Sequence, residues 1–405
     1  MKLIKVMLPV IALLAVGTGC TNKHYANAVE QYNNKHYADA VEQHNKEESL
    51  DDTNRVLYEG CINQKIGVAC FSLGYAYDEG KGVKQDYSKA NIYYKKACTM
   101  NEGIGCFNLG NSYNFGRSVK QDYSKANIYY EKACNLNYGE GCYNLGISYR
   151  DGWGVKQDYS KAKIYDEKAC NLNYGIGCFN VGVSYYKGKG VKQDYSKANI
   201  YYEKACNLNY GGGCFNLGIS YERGYGVKQD YQKANTYYEK GCNMNSHKGC
   251  YNLGVSYERG YGVKQDYQKA NTYYEKACEL NNGVGCTNLG VLYERGYGVK
   301  QDYQKASIYY EKACTLDDSR GCTILGYSFA KGLGVRRNMS IAASYFEKSC
   351  NLNEGIACYN LGILYEAGIG VRQNKSKAKE FFGKLCDLGA QQGCDNYRKL
   401  NEQGY

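Results

Sequence analysis

Apolar and polar positions along most of this chain repeat as a compound unit, best seen between Cys214 and Cys242. Cys214, Leu217, Gly218 and Tyr221 fall at i, i+3, i+4 and i+7, a single stripe of a helix. Gly218 on that stripe predicts close approach of a neighbouring helix. Gly224 and Gly226 end the helix, and Val227 supplies an apolar contact in the loop. Asp230 then stands where an N-cap belongs, its carboxylate able to accept orphan amide bonds. A second helix follows, with Ala234, Tyr237, Tyr238 and Gly241 turned partly inward. The unit therefore predicts an antiparallel pair, helix A followed by helix B. No alternating strand pattern competes with it.

The pair recurs with a 36-residue step, which marks a repeat architecture. One cysteine series closes helix B: Cys98, Cys134, Cys170, Cys206, Cys242, Cys278, Cys314, Cys350 and Cys386. A second opens helix A: Cys70, Cys106, Cys142, Cys178, Cys214, Cys250, Cys286, Cys322, Cys358 and Cys394. The N-cap recurs as Asp86, Asp122, Asp158, Asp194, Asp230, Asp266, Asp302, Asn338 and Asn374. Asn216 to Lys240 and Asn252 to Lys276 differ only at Ile219 against Val255, the mark of recent internal duplication. Asn54 to Cys61 reads as an incomplete helix B and Asp395 to Leu400 as a polar final helix, the caps that a repeat array needs for solubility. The division is a signal segment at 1–20, a spacer at 21–53, the repeat array at 54–400 and a tail at 401–405.

Composition bears on the cysteines first. There are 21 of them against four histidines, and no C-x2-C cluster, so the chain carries no zinc pattern and no cofactor motif. Cysteines at this density persist as disulfides in an oxidising compartment, which implies export. Cys206 and Cys214 are eight residues apart. On one continuous helix that is about 12 Å, beyond the roughly 7 Å a disulfide can bridge. A turn must separate them, and 207–213 is rich in Asn and Gly. The expected bonds join the end of each helix B to the next helix A, with Cys61 pairing Cys70. The rival pairing, Cys214 with Cys242 within one unit, remains sterically open. Each bond contributes about 2–3 kcal/mol.

The N-terminus agrees with export. Lys2 and Lys5 precede an apolar run from Val6 to Val16, too short to cross a bilayer and suited to a secretory signal. Ten pairs from Cys61 to Cys394 leave Cys20 over, directly after Gly19. This resembles the lipobox of bacterial lipoproteins, although Gly17 stands where leucine is preferred. It implies an acylated Cys20 and a periplasmic or outer-membrane lipoprotein; plain cleavage nearby, with secretion, is the alternative. Membrane contact would then run only through the lipid. Residues 22–45 hold a separate tandem, NKHYANAVEQYN and NKHYADAVEQHN, read as a spacer; its His24, His36 and His44 are the alternative, a pH-responsive or metal-binding tract.

The formal charge is +11, but its signs alternate within every unit, and no block of like charge forms the continuous stripe that nucleic-acid binding needs. The chain is read as a monomer with a solvated charged surface.

The C-x7-C junctions, the CFNLG and CYNLG helix starts, the G-x-G-V loops and the YYEKACNLN helix ends resemble the Sel-one-like repeat, a relative of the tetratricopeptide repeat. Within that family they look most like the Helicobacter cysteine-rich proteins. The resemblance covers 54–400. It departs at the nine-residue spacing of Cys61 and Cys70 and at Gly116-Arg117-Ser118, which replaces one G-x-G. It implies an all-α fold, a right-handed α/α solenoid of nine disulfide-stapled helix pairs, with helix A lining a concave groove. It also implies penicillin binding with weak β-lactamase activity.

Helix A carries a second set of regular positions. They are Asn216, Ser220 and Arg223; then Asn252, Ser256 and Arg259; then Asn288, Leu292 and Arg295. The asparagine also stands at Asn108, Asn144, Asn180 and Asn360, with Ser72 and Ile324 as exceptions. Such a ladder can hydrogen-bond an extended peptide in the groove. Equally, each Asn can bond the adjacent repeat and serve stacking alone. For β-lactam chemistry the chain offers S-x-x-K only at Ser160 to Lys163 and Ser376 to Lys379, both on helix B, without S-D-N or K-T-G. The reading is a binding scaffold for a protein, a peptide or a cell-wall fragment, with β-lactam hydrolysis as the alternative.

Overall fold

The computed structural model describes residues 50–405, so the signal segment, Cys20 and the 22–45 tandem lie outside the described residues. Among the described residues there are 20 α-helices and no strand. The first, Asp52–Ile62, starts just ahead of the expected Asn54 and is capped by Asp51. Nine A/B pairs follow, from Gly67–Glu79 with Tyr87–Thr99 to Gly355–Ala367 with Lys375–Asp387. The last helix, Gln391–Glu402, is longer at both ends than Asp395 to Leu400 and reaches into the expected tail.

The chain forms two compact units, divided within helix Gly175–Lys187. The first holds the described residues through Asn180 with Lys189–Val191; the larger second holds Val181–Gly188 and Lys192–Tyr405. Each unit is a stretch of all-α solenoid.

Local chemistry sets where each capped helix B begins and where helix A ends. The Asp230 carboxylate accepts the Lys233 amide at 2.9 Å, and Asn338 accepts from Ser340 and Ile341, so helix B begins where its cap stands. Helix A ends on Gly224, left-handed at φ 72°. Two residues on, Gly226 allows the A–B loop to settle on the preceding repeat: a Cβ there would lie 2.5 Å from the Ser196 amide nitrogen. Ser118 fills the corresponding place in the departing loop and takes φ 53° despite its side chain. Beside this loop, buried Asn235 donates from Nδ2 to the Tyr261 carbonyl of the next repeat at 2.6 Å. Asn91, Asn127 and Asn199 do the same one step along.

The B-to-A turn places Asn209 at φ 61°, and the chain reverses there. All ten disulfides close across this turn, from Cys61–Cys70 to Cys386–Cys394, with Cα atoms 4.5–4.6 Å apart. Cys214 bonds Cys206 and not Cys242. Inside most pairs a small residue faces a large one. Gly218 lies against the buried Tyr238 ring, where an added Cβ would be 2.5 Å away. Ala234, Tyr238 and Leu253 close the core across the repeat boundary. A buried aromatic of this kind removes 150–250 Å² from water, about 4–6 kcal/mol of gross transfer energy.

Candidate functional site

The asparagine ladder is tied to these buried tyrosines. The Tyr238 hydroxyl donates to Glu222 Oε2 at 2.5 Å and accepts from Asn252 of the next repeat. Tyr274 donates to Glu258 and accepts from Asn288. Tyr202 accepts from Asn216; Tyr130 accepts from Asn144 while donating to Asn111 Oδ1 at 2.8 Å. Burial pushes the Tyr130 hydroxyl up to about 12, and burial reinforced by Glu222 pushes Tyr238 higher still. These hydroxyls stay neutral and can keep donating. Asn360 instead donates to the Tyr327 hydroxyl at 2.5 Å, and Asn108 to its own helix at the Ile104 carbonyl. Apart from Asn108, these ladder asparagines thus make bonds between repeats. An amide has more donor and acceptor capacity than one such bond uses.

One repeat departs from this scheme. Asp166 takes the tyrosine position, fully buried, with Arg150 Nη2 at 2.5 Å and Asn180 Nδ2 at 3.1 Å. Burial pushes its carboxyl up to about 6, against the opposing pull of Arg150 and Asn180. Arg150 stands where Glu222 and Glu258 stand in later repeats, so the neutral-acid pair has become an ion pair.

The solvent-facing stripe of helix A differs from the expected one at a single step. Phe215, Asn216 and Ile219 are half-buried and Arg223 is exposed; Tyr251, Asn252, Val255 and Arg259 repeat the arrangement. Ser220 and Ser256 are buried, 1% and 5% exposed, and cannot touch a ligand in this conformation. Leu292 fills the same position at 1% exposure, which identifies it as core. In sister repeats the hydroxyl is satisfied within its helix, Ser148 Oγ donating to the Asn144 carbonyl at 3.1 Å.

The arginines project toward the A–B loop. Arg223 donates to the Tyr225 hydroxyl, Arg259 to that of Tyr261, and Arg295 lies 5.9 Å from the Tyr297 ring centre. These tyrosines sit between the two loop glycines and escape a helix-by-helix reading; their signal is G-Y-G at the repeat step. Exposed Lys228, Lys264 and Lys300 follow on the same loops. They recur once per repeat, so a search for local charge blocks does not find them.

In the S-x-x-K matches, Ser160, Lys163 and Lys379 each make contacts of their own. Ser160 Oγ donates to the Gly190 carbonyl at 3.2 Å, as Ser196 does to Gly226, although Ser196 has Asn199 in place of the lysine. Lys163 pairs with Glu167 at 2.8 Å, and Lys379 donates to Asn401 Oδ1 at 3.3 Å.

Comparison with known proteins gives the family. The Sel1 repeat matches nine segments: 67–102, 103–138, 139–174, 175–210, 212–246, 247–282, 283–318, 319–354 and 355–389. None of the curated proteins matches. Among solved structures, a Sel1 repeat protein from Oxalobacter formigenes is 22% identical with a TM-score of 0.63, over 78% of this chain and 95% of that one. A protective antigen of uropathogenic Escherichia coli strains is 24% identical with a TM-score of 0.56, over 87% and 84%. Both likenesses are of fold. Cysteine-rich protein B of Helicobacter pylori is 45% identical over 33% of this chain and 95% of its own, with a TM-score of 0.28. With nine matched segments of one repeat spanning most of its length, the chain belongs to the Sel1 repeat family.

Proposed function

We propose that this protein is an exported, rigid scaffold for a protein or peptide ligand, working in the cell envelope or outside the cell, with the ligand lying along the helix A stripe. Sel1 repeats are in general scaffolds for protein–protein binding. The observation that carries the reading is the recurrence of one surface at fixed register. An apolar side chain, an amide and a cation return as Phe215–Ile219, Asn216 and Arg223, then as Tyr251–Val255, Asn252 and Arg259. Apolar contacts of that kind supply affinity, and amides at a constant step suit the backbone of an extended chain.

The disulfides support both halves of the proposal. Ten of them point to an oxidising compartment. A bond at every junction also lowers the ordering penalty of binding by holding the stripe in place. Among the described residues no helix is long and apolar enough to cross a membrane. Any membrane tether is proposed to be lipid on Cys20. The β-lactamase alternative rests on resemblance; the contacts of Ser160, Lys163 and Lys379 lend it no support.

The test is a peptide-display selection on the full, oxidised chain, repeated on the double variant Ile219→Lys, Val255→Lys. A lysine stem keeps the apolar packing and carries its charge outward. The proposal expects selected peptides to lose about tenfold or more in affinity, with the melting temperature retained. Equal affinity for the variant would overturn it.

A further inference from the structure

We infer that the A–B loop edge of the larger unit binds a linear acidic polysaccharide carrying a carboxylate on every second sugar. This surface adjoins the helix A stripe and shares Arg223 and Arg259 with it, but its rings and lysines lie on the A–B loops and it takes a different ligand.

The edge is a row of rings held in fixed poses. Tyr195 and Tyr225 have centroids 5.2 Å apart, Tyr231 and Tyr261 5.7 Å, and Tyr267 and Tyr297 5.0 Å. Each pair joins the first residue of a helix B to the loop of the next repeat. One ring of each of the latter pairs is pinned by a glutamine. Gln229 Nε2 donates to the Tyr231 hydroxyl at 3.2 Å and to the Glu222 carbonyl at 2.7 Å; Gln265 holds Tyr267 in the same way. Despite these contacts Tyr261 and Tyr297 remain 43% and 41% exposed, far more than a packing role requires. Flat, preorganised and wet, such rings suit the C–H face of a sugar, which meets the negative face of the aromatic quadrupole.

Cations flank each ring. Arg223 at the end of helix A and Lys228 bracket one loop, Arg259 and Lys264 the next, Arg295 and Lys300 the third, and all six are exposed. Cations outnumber the acids beside them: Arg223, Lys228 and Lys233 stand against Glu222 and Asp230, and Arg259, Lys264 and Lys269 against Glu258 and Asp266. The edge therefore presents net positive charge at one repeat's spacing. Packed helices advance by about 10 Å per repeat, comparable to the length of a disaccharide. A polymer with one carboxylate per disaccharide can thus place an anion at each loop and a sugar face at each ring. Single-stranded nucleic acid also pairs stacking with charge. Its phosphates come once per nucleotide, a closer spacing than these loops offer, and an oxidising compartment favours glycans over it.

The test titrates unsulfated chondroitin oligosaccharides, one uronate per disaccharide, against the full oxidised chain at low and physiological salt. Dextran, polyglutamate and oligodeoxythymidylate are run beside it. Two variants accompany the wild type: Tyr225→Ser, Tyr261→Ser, Tyr297→Ser, and Lys228→Gln, Lys264→Gln, Lys300→Gln. The second changes only exposed side chains and guards against a folding defect in the first. The inference expects saturable chondroitin binding that weakens about tenfold or more in each variant and falls with salt. It is overturned by no chondroitin binding, by equal binding of dextran or polyglutamate, by tighter binding of oligodeoxythymidylate, or by unchanged binding in the lysine variant.

Discussion

Tyr238 and Asn252 meet across a repeat boundary: the asparagine amide donates to a tyrosine hydroxyl that itself donates to Glu222. One buried oxygen thereby ties helix B of a repeat to its own helix A and to helix A of the next. The same relay joins Tyr274 to Glu258 and Asn288. The ladder is first of all a device for holding repeats in register, and any ligand that uses it meets side chains already oriented.

Tyr238→Phe removes the oxygen and leaves two polar groups facing an apolar ring edge. The expected loss is about 1–3 kcal/mol, read as a lower urea midpoint. A double-mutant cycle with Asn252→Ala should show coupling. Additive effects would mean that the bond carries no stability.

Asp166 makes stability depend on pH with a definite sign. Its folded carboxyl lies at about 6, above its ordinary 3.8, because burial outweighs Arg150 and Asn180, with Tyr143 also nearby. Between those values the folded chain holds a proton that the unfolded chain has released. This contribution is full below the unfolded value and is lost as pH rises through about 6. Acidification from neutral pH toward 5 should therefore stabilise the wild type relative to Asp166→Asn, in parallel urea titrations. Identical pH profiles would contradict this. The double variant Asp166→Tyr, Arg150→Glu restores the sister pairing and should melt higher than the wild type.

How far the residues alone reveal the structure depends on how local each relationship is. The Asp230 cap, the Gly224 stop and the Cys206–Cys214 bond each involve neighbours in the chain, and each stands where the spacing places it. The Asn252–Tyr238 bond and the outward turn of Ile219 rather than Ser220 depend on the tilt between successive repeats. Helical periodicity turns positions 219 and 220 both away from the Cys214–Tyr221 stripe; the packed neighbour buries 220. Lys228, Lys264 and Lys300 form a row only once the loops are stacked.

Ser118 is a stored weakness of the first unit. It takes φ 53°, a left-handed conformation that disfavours a residue with Cβ by about 1 kcal/mol. Ser118→Gly should raise the melting temperature by a few degrees. Gly226→Ala should do the opposite, since its Cβ would meet the Ser196 backbone. A neutral result for both would contradict the loop's role in docking repeats.

Replacing Cys206 and Cys214 together by serine opens one short loop. The expected loss is about 2–3 kcal/mol. Limited proteolysis should then show new cleavage near 207–213, with the other junctions still protected. Unchanged protection would show that the packing, and not the bond, holds the junction.

Whether ligand lies along helix A is read by site-specific photo-crosslinking. A photoreactive residue is placed at Ile219 or Val255 on the helix A stripe, and at Ile200 on exposed helix B as the control. A peptide selected on the oxidised chain should crosslink from Ile219 and Val255 and not from Ile200. Crosslinking from Ile200 alone would overturn helix A as the binding surface and move it to helix B.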